Sequence, residues 1–337
     1  MLKNLALVRK GLVLLGIIVV FPLLMAPKNS YSGTLVVKGA VNKEVSLSLD
    51  DFKKMDSFHA NDVPLLREKK DENEEEAMIS KNSYRGVLLR DILEKAGMRY
   101  IRKWEPGVYV RVRGSKNKEV IFSFGEIFYS SIGRSILLAY EKNGDPIEFP
   151  EGCGELIVAN DIREGRRISG VKEIIVERVN IELKAYDDKA KKITRPPTTE
   201  FSLVNNVNKK SVQMKLKDLK EVPSMVIPAA IMVGDCEGFH GVFSFEGVPL
   251  AALLKKVGIS IYDLDYSHYA VISSEDGFCA TVSFGELFNS RLGNNIIIAY
   301  KKDGEALSPK EGFAVSVAGE DSTGGRSIKR INKIEIF

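Results

Sequence analysis

The hexapeptide SFGEIF at residues 123–128 returns as SFGELF at residues 283–288, an offset of 160 positions. The segment LLAYEKNG at 137–144 returns as IIAYKKDG at 297–304, at the same offset. The dipeptide Gly-Arg at 165–166 recurs at 325–326, and GVLL at 86–89 matches GVPL at 247–250. Periods of 20–50 residues are typical of solenoids, whereas a spacing this long predicts two copies of one domain.

The repeat places the predicted domains along the chain. We expect a leader at 1–32, a first domain at 33–182, a linker at 183–200 and a second domain at 201–337. The linker contains a charged run, Lys184 to Lys192, and the pair Pro196-Pro197, which breaks regular structure.

The composition is that of an ordinary soluble globular protein, with 337 residues, 44% hydrophobic and 28% charged. It excludes a collagen-like chain, a multi-span membrane protein, a disulfide-dense miniprotein and a wholly disordered chain. The formal charge of +4 comes from the four basic residues of 1–32, and the remainder has 45 basic and 45 acidic residues. A neutral body exerts no general attraction on nucleic acid, so we expect no nucleic-acid partner.

The N-terminal segment has the pattern of an export signal. Lys3, Arg9 and Lys10 precede an apolar run at residues 11–25, which is short for a bilayer span. We therefore expect export to the periplasm or another extracytoplasmic space, with an uncleaved membrane anchor as the alternative. The pair Arg9-Lys10 is not a twin arginine.

Local patterns predict mixed α and β structure in both copies. Apolar spacing predicts helices after residues 86 and 247, with Gly97 and Gly258 at their ends. Ser123 with Glu126 forms a capping-box pattern that repeats at 283 and 286. Asn-Gly at 143–144 and Asp-Gly at 303–304 are hairpin turns, and alternating strands close each copy. Strands outnumber helices, which indicates the α+β class.

The order of these landmarks resembles the molybdopterin-binding domain of the sulfite oxidase family. The strings are GVPLAALLKKVG at 247–258, SSEDGFCATVSFGEL at 273–287, AYKKDGEAL at 299–307 and GGRSIKRINKIEI at 324–336. The resemblance covers about residues 34–180 and 201–337. It implies two tandem sulfite-oxidase-type domains with mixed β-sandwich-like cores and short helices. It also implies a molybdenum ion held by a pterin dithiolene and one cysteine thiolate.

Cys236 lies shortly before the GVPL helix, where the family carries its metal ligand. The resemblance implies that Cys236 is both the metal ligand and the catalytic centre, in the second copy alone. The first copy has no cysteine between Gly33 and Gly86. Three alternatives stay open: a small buried core residue, a Cys236–Cys279 disulfide, and a reactive thiolate beside His240.

The pterin phosphate needs cationic partners. The resemblance places Arg326, Lys329 and Arg330 in the late pterin-contacting stretch. His240 is a further cofactor-binding candidate because it lies four residues after Cys236. The alternative is that these are solvated charges beside the last strand. An active protein of this type takes a small-molecule substrate and an electron-transfer partner.

A cofactor-free binding or scaffold module that kept the fold is the second functional hypothesis, because fold does not determine function. Two departures from the family motivate it. The first copy lacks the ligand cysteine, and the leader lacks the twin arginine used to export folded proteins. Residues 231–246 also contain no Arg or Lys to bind an anionic substrate.

Overall fold

The computed structural model describes residues 33–75, 77–98, 107–149, 151–179, 197–234, 238–275 and 277–337. Cys236, the leader and most of the linker lie outside the described residues. Residues 33–179 are called the N-terminal half below, and residues 197–337 the C-terminal half.

The N-terminal half consists of short strands with small helices between them. Its elements are β1 Thr34–Gly39, β2 Val45–Ser48, α1 Leu49–Lys53, β3 Phe58–Leu66, β4 Met78–Leu88, α2 Leu89–Lys95, β5 Val108–Arg113, β6 Glu119–Ser123, α3 Phe124–Phe128, β7 Ile136–Lys142, β8 Asp145–Pro146, β9 Glu155–Val158, β10 Ile168–Ser169 and β11 Glu173–Arg178. Single 3-10 turns occupy Ser115–Asn117, Ser131–Ser135 and Glu164–Arg166.

The C-terminal half follows the same plan. Its elements are β12 Glu200–Asn205, β13 Lys210–Lys215, α4 Leu216–Lys220, β14 Met225–Gly234, β15 Gly238–Pro249, α5 Leu250–Leu254, β16 Tyr269–Ser274, β17 Cys279–Ser283, β18 Ile296–Lys302, β19 Glu305–Ala306, β20 Val315–Ala318 and β21 Ile331–Ile336. Lys255–Val257 and Gly293–Asn295 are 3-10 turns, and Gly285–Asn289 is a π-helical turn.

Each half contains two sheets with corresponding strand orders. One sheet runs β2-β1-β11-β5-β6 in the first half and β13-β12-β21-β16-β17 in the second. In both, the first strand of the half pairs in parallel with the last one, and the other neighbours are antiparallel. The other sheet runs β10-β9-β7-β4-β3, or β14-β15-β18-β19 with β20 on β18. The predicted α+β class is confirmed.

Turn and cap chemistry explains where these elements end. Asn143 and Asp303 have φ of 54° and 51°, and each precedes a glycine that also has positive φ. This is the two-residue turn that matches the twist of a hairpin, as predicted. Gly97 and Gly258 end their helices with φ of 82° and 86°, a conformation that glycine adopts at little cost.

The largest buried core draws on both halves. It includes Phe122 and Ile127 from the first half and Phe284 and Leu287 from the second, all at most 3% exposed. Cys153 belongs to this core and is 1% exposed. Within the described residues, no helix has the length and apolarity needed to cross a bilayer.

Candidate functional site

Arg326 is the centre of a buried ionic cluster in the C-terminal half. Its Nε donates to the Asp321 carboxylate at 2.8 Å, and its Nη1 donates to Glu286 Oε1 at 2.6 Å. The side chains of all three residues are at most 6% exposed. Because a buried guanidinium needs carboxylate partners, this geometry holds Arg326 in one position.

The N-terminal half contains the same arrangement. Arg166 donates to Asp161 at 2.8 Å through Nε and also bonds to Glu126. The recurring Gly-Arg and Phe-Gly-Glu motifs therefore place one buried arginine and its carboxylates in each half.

The two clusters are linked across the halves by serine hydroxyls. Ser123 donates to Glu286 Oε2 at 2.9 Å, and Ser283 donates to Glu126 Oε2 at 2.7 Å. Each hydroxyl also accepts from a backbone N–H three residues on, so it caps its own turn. At Ser123 only the serine part of the predicted capping box forms. The Glu126 side chain faces Arg166 and Ser283 and does not return to the Ser123 backbone.

Glycines in the same motif allow the arginines to approach. A Cβ on Gly125 would lie 2.3 Å from Arg326 Nε, and one on Gly285 would lie 2.1 Å from Arg166 Cδ. Each arginine therefore lies against the glycine of the opposite half. The sequence predicted that both motifs matter, but it did not predict that each glycine contacts the arginine of the other half. The recurrence of the two motifs together could have indicated this contact.

Where the two halves meet, buried carboxyl groups outnumber guanidinium groups. Burial raises the pKa of these carboxyl groups, as two of them show. Desolvation raises the pKa of Glu286 to about 7, against the opposing effect of Arg326. Desolvation also raises the pKa of Asp161 to about 6. Both carboxyl groups therefore keep their proton to a higher pH than a solvated carboxyl group does.

A cavity of about 550 Å³ lies beside the Arg326 cluster. Strands β14, β15 and β17 and the loop at residues 324–329 form most of it, and residues 124, 125 and 129 add a wall from the N-terminal half. The Tyr129 ring lies against the backbone of Gly325, because a Cβ on that glycine would be 2.7 Å from the ring. Both halves thus build this cavity.

Aromatic rings and cations share the cavity lining, together with Glu311. The Lys302 ammonium lies 3.6 Å from the centre of the Phe243 ring and 3.7 Å from the Glu311 carboxylate. Phe245 and Phe278 add further rings. Flat aromatic walls with nearby cations suit a planar ligand that carries negative charge.

The structure brings three of the predicted site residues to this cavity: Arg326, Lys329 and His240. Arg330 does not line it and instead donates to Glu275 at 2.8 Å. Their assigned roles toward a pterin remain predictions. The alternative of a solvated charge is wrong for Arg326, which is 5% exposed because its carboxylate partners are internal.

Cys236 lies outside the described residues, but its neighbours can be placed. Met232 and Val233 before it and His240 after it line the cavity. Cys279 also lines the cavity and is a free, buried thiol, so the Cys236–Cys279 disulfide is not formed in this structure. Burial raises the pKa of Cys279 to about 12, which keeps it protonated. In the described part of the chain, no group of His, Cys, Asp and Glu side chains is arranged to hold a metal.

Each half is thus a two-sheet α+β unit, and a cavity lined by aromatic rings and cations lies in the C-terminal half. The family model for the oxidoreductase molybdopterin binding domain matches residues 25–154 and 191–337. The chain belongs to that family, and the resemblance drawn from its sequence is confirmed.

Individual relatives match shorter stretches. Nitrate reductase [NADH] of Solanum lycopersicum is 31% identical over 97 residues, covering 27% of this chain and 11% of that protein. Nitrate reductase [NADH] 1 of Nicotiana tabacum is 33% identical over 95 residues, covering 27% and 10%. The chain therefore matches about a tenth of the length of these curated relatives.

The chain also aligns with the solved structure of the sulfane dehydrogenase SoxCD from Paracoccus pantotrophus. It aligns with a TM-score of 0.32 and 10% identity, covering 88% of this chain and 77% of that chain.

Proposed function

We propose that the C-terminal half binds a molybdenum–molybdopterin cofactor in the 550 Å³ cavity, and that the protein is an exported oxidoreductase with this single site. The observation that carries the proposal is that Met232 and Val233, before Cys236 in the sequence, and His240, after it, line this cavity. A thiolate at Cys236 would then lie within reach of a bound metal.

The lining residues fit such a group. Phe243, Phe245 and Phe278 offer apolar faces for a flat ring, and His240 and Lys329 offer donors for a phosphate. Arg326, already held by Asp321 and Glu286, contributes a fixed positive charge at the wall. When bound, the cofactor supplies oxygen-atom or two-electron transfer.

The protein's own residues have separate tasks in this proposal. Cys236 ligates the metal, since a soft thiolate suits molybdenum. Arg326 and Lys329 orient the phosphate end, and the aromatic walls exclude water from the ring. A small-molecule substrate and an electron-transfer partner complete the activity.

A cofactor-free binding module is the second candidate. The observation that favours it is that the Arg326 guanidinium is already bonded to Asp321, Glu286 and Ser123. A cavity without a resident cofactor would then bind a planar anionic molecule reversibly.

Metal and pterin analysis tests the proposal on the full chain purified from its own host. We expect stoichiometric molybdenum or tungsten, together with a fluorescent pterin released on oxidation. Cys236→Ser is expected to lose the metal, whereas Cys153→Ala, at the buried core cysteine, should retain it. Wild-type protein free of both metal and pterin would rule out the cofactor and favour the binding module.

A further inference from the structure

Equivalent backbone contacts join the two halves at Tyr129 and at Asn289. The Ser322 N–H donates to the Tyr129 carbonyl at 2.9 Å, and the Ile162 N–H donates to the Asn289 carbonyl at 2.8 Å. Tyr129 and Asn289 stand at equivalent positions, since each directly follows the recurring hexapeptide of its half. The two side chains can therefore be compared in a shared backbone setting.

The Asn289 side chain is fully engaged between the halves. Its Nδ2 donates to Asp161 Oδ2 at 3.0 Å and to the Arg163 carbonyl at 2.9 Å, and its Oδ1 accepts from the Arg163 N–H at 2.9 Å. Asn289 is 0% exposed. This amide serves to join the halves and presents no surface to a ligand.

The Tyr129 side chain forms part of a cavity wall instead. Its ring lies against Gly325 and makes an edge-on contact with the Phe124 ring, with 5.4 Å between centroids and 78° between planes. Tyr129 is partly exposed, and all three of these residues line the 550 Å³ cavity. A ring thus faces a ligand site where the equivalent amide of the other half is buried.

The loop at residues 322–325 is held between Tyr129 and the end of β14. Ser322 donates to the Tyr129 carbonyl through its hydroxyl at 3.1 Å as well as through its N–H. The Gly324 N–H donates to the Val233 carbonyl at 3.2 Å, three residues before Cys236. Tyr129 is therefore fixed relative to the strand that leads to Cys236, and such preorganisation favours binding.

A different tyrosine occupies the equivalent glycine of the N-terminal half. A Cβ on Gly165, the counterpart of Gly325, would lie 1.9 Å from the Tyr266 ring and 2.4 Å from Glu68. Glu68 accepts from the Gly165 N–H and from the Tyr266 hydroxyl, both at 3.0 Å. Tyr266 is 7% exposed, so a carboxylate and a buried ring fill this place. The place beside Gly325 opens to the cavity.

We propose that Tyr129 is a cofactor-contacting residue, supplied by the N-terminal half, that completes the site of the C-terminal half. Its ring contacts the flat ring system of the ligand, a contact that an aliphatic side chain makes less well. The role rests on the proposed function, because the ligand is the cofactor assigned to that cavity. It also gives the N-terminal half, which lacks a counterpart of Cys236, a part in binding.

The test uses the full chain produced in a host that does not make the cofactor, with fluorescent pterin-6-carboxylate as a flat, anionic probe. Fluorescence titration gives the dissociation constant. We expect Tyr129→Leu to weaken binding about tenfold, because the ring contact is lost while apolar bulk remains. Tyr129→Phe keeps the ring and should bind as the wild type does.

Phe288→Leu is the matched control. Phe288 is also a partly exposed ring in edge-on contact with a phenylalanine, Phe284, at 5.3 Å, but it is not among the residues that line the cavity. Its variant should leave the dissociation constant unchanged, whatever its effect on the melting temperature. Tyr129→Asn, which copies Asn289, is a second loss of the ring if Tyr129→Leu fails to fold.

The pterin retained by protein from its own host is the second readout. It should fall in Tyr129→Leu and stay at the wild-type level in Tyr129→Phe and Phe288→Leu. An unchanged probe affinity or pterin content in a folded variant without the ring would overturn the role of Tyr129 and leave the cofactor proposal in place. Wild-type protein without pterin in both experiments would overturn the two proposals together.

Discussion

No side chain fits at Gly285, because the Arg166 side chain of the opposite half packs directly against its Cα. The arginine cannot move aside, since Asp161 and Glu126 hold its guanidinium in a buried site. A Cβ would lie 2.1 Å from Arg166 Cδ. The motif glycine is therefore required by a contact made with a residue far away in the sequence.

We expect Gly285→Ala to lower the free energy of unfolding by about 3 kcal/mol, through overpacking and a displaced ion pair. Denaturant titration measures this change. Gly144→Ala is the control, because no atom lies within 4 Å of its added Cβ and only backbone strain of about 1 kcal/mol remains. Equal losses in the two variants would contradict the contact argument.

At the scale of the element, α3 is held at its first turn by a serine that serves two partners. Ser123 accepts from the Glu126 N–H at 3.0 Å and donates to Glu286 of the other half at 2.9 Å. Ser48 caps α1 in the same way, but its other partner is its own Asp51. The two serines therefore differ in whether they link the halves.

Ser123→Ala is expected to cost about 2 kcal/mol, the sum of a lost cap and a lost bond to a buried carboxylate. Ser48→Ala should cost about 1 kcal/mol, since only a surface cap is lost. Denaturant unfolding curves, fitted with one denaturant dependence for all variants, measure both losses of unfolding free energy. A smaller effect at Ser123 than at Ser48 would refute the dual role.

At the scale of the whole molecule, the joined halves enclose more carboxylates than guanidiniums. The pKa of Glu286 is raised from 4.5 to about 7 because it is desolvated, and Glu126 and Asp321 oppose its ionisation. The folded protein thus binds more protons than the unfolded chain between these two pKa values. Stability contributed by this group must fall as pH rises through that window.

We expect the wild-type protein to be less stable at pH 8 than at pH 5.5, by about 1–2 kcal/mol. Glu286→Gln, which stays neutral, should show a smaller difference between the two pH values. Urea unfolding at both pH values measures the effect. A wild-type stability that rises over this range, or a variant with the same slope, would exclude the mechanism.

Local sequence patterns predicted much of the fold because turns and caps depend on near neighbours. The turns at 143–144 and 303–304 and the helix ends at Gly97 and Gly258 need only their own residues to form. The role of Arg326 could not be predicted in this way. Its partners are Glu286, 40 residues earlier, and Ser123, 203 residues earlier, so only the folded chain brings them together.

The site was predicted in part for the same reason. The family resemblance pointed to the stretch that contains Lys329, and the closeness of His240 to Cys236 in the sequence pointed to that histidine; both residues line the cavity. The wall supplied by Tyr129 was missed, because it comes from the other half and matches no motif for binding.

The arginine of each half lies against a glycine of the other half, and this reciprocal contact has an evolutionary consequence. A change at Gly125 must be answered by a change at Arg326, and one at Gly285 by a change at Arg166, because each pair is in direct contact. The two halves are therefore expected to change together at these positions. Independent change is open to each half only at positions away from this contact.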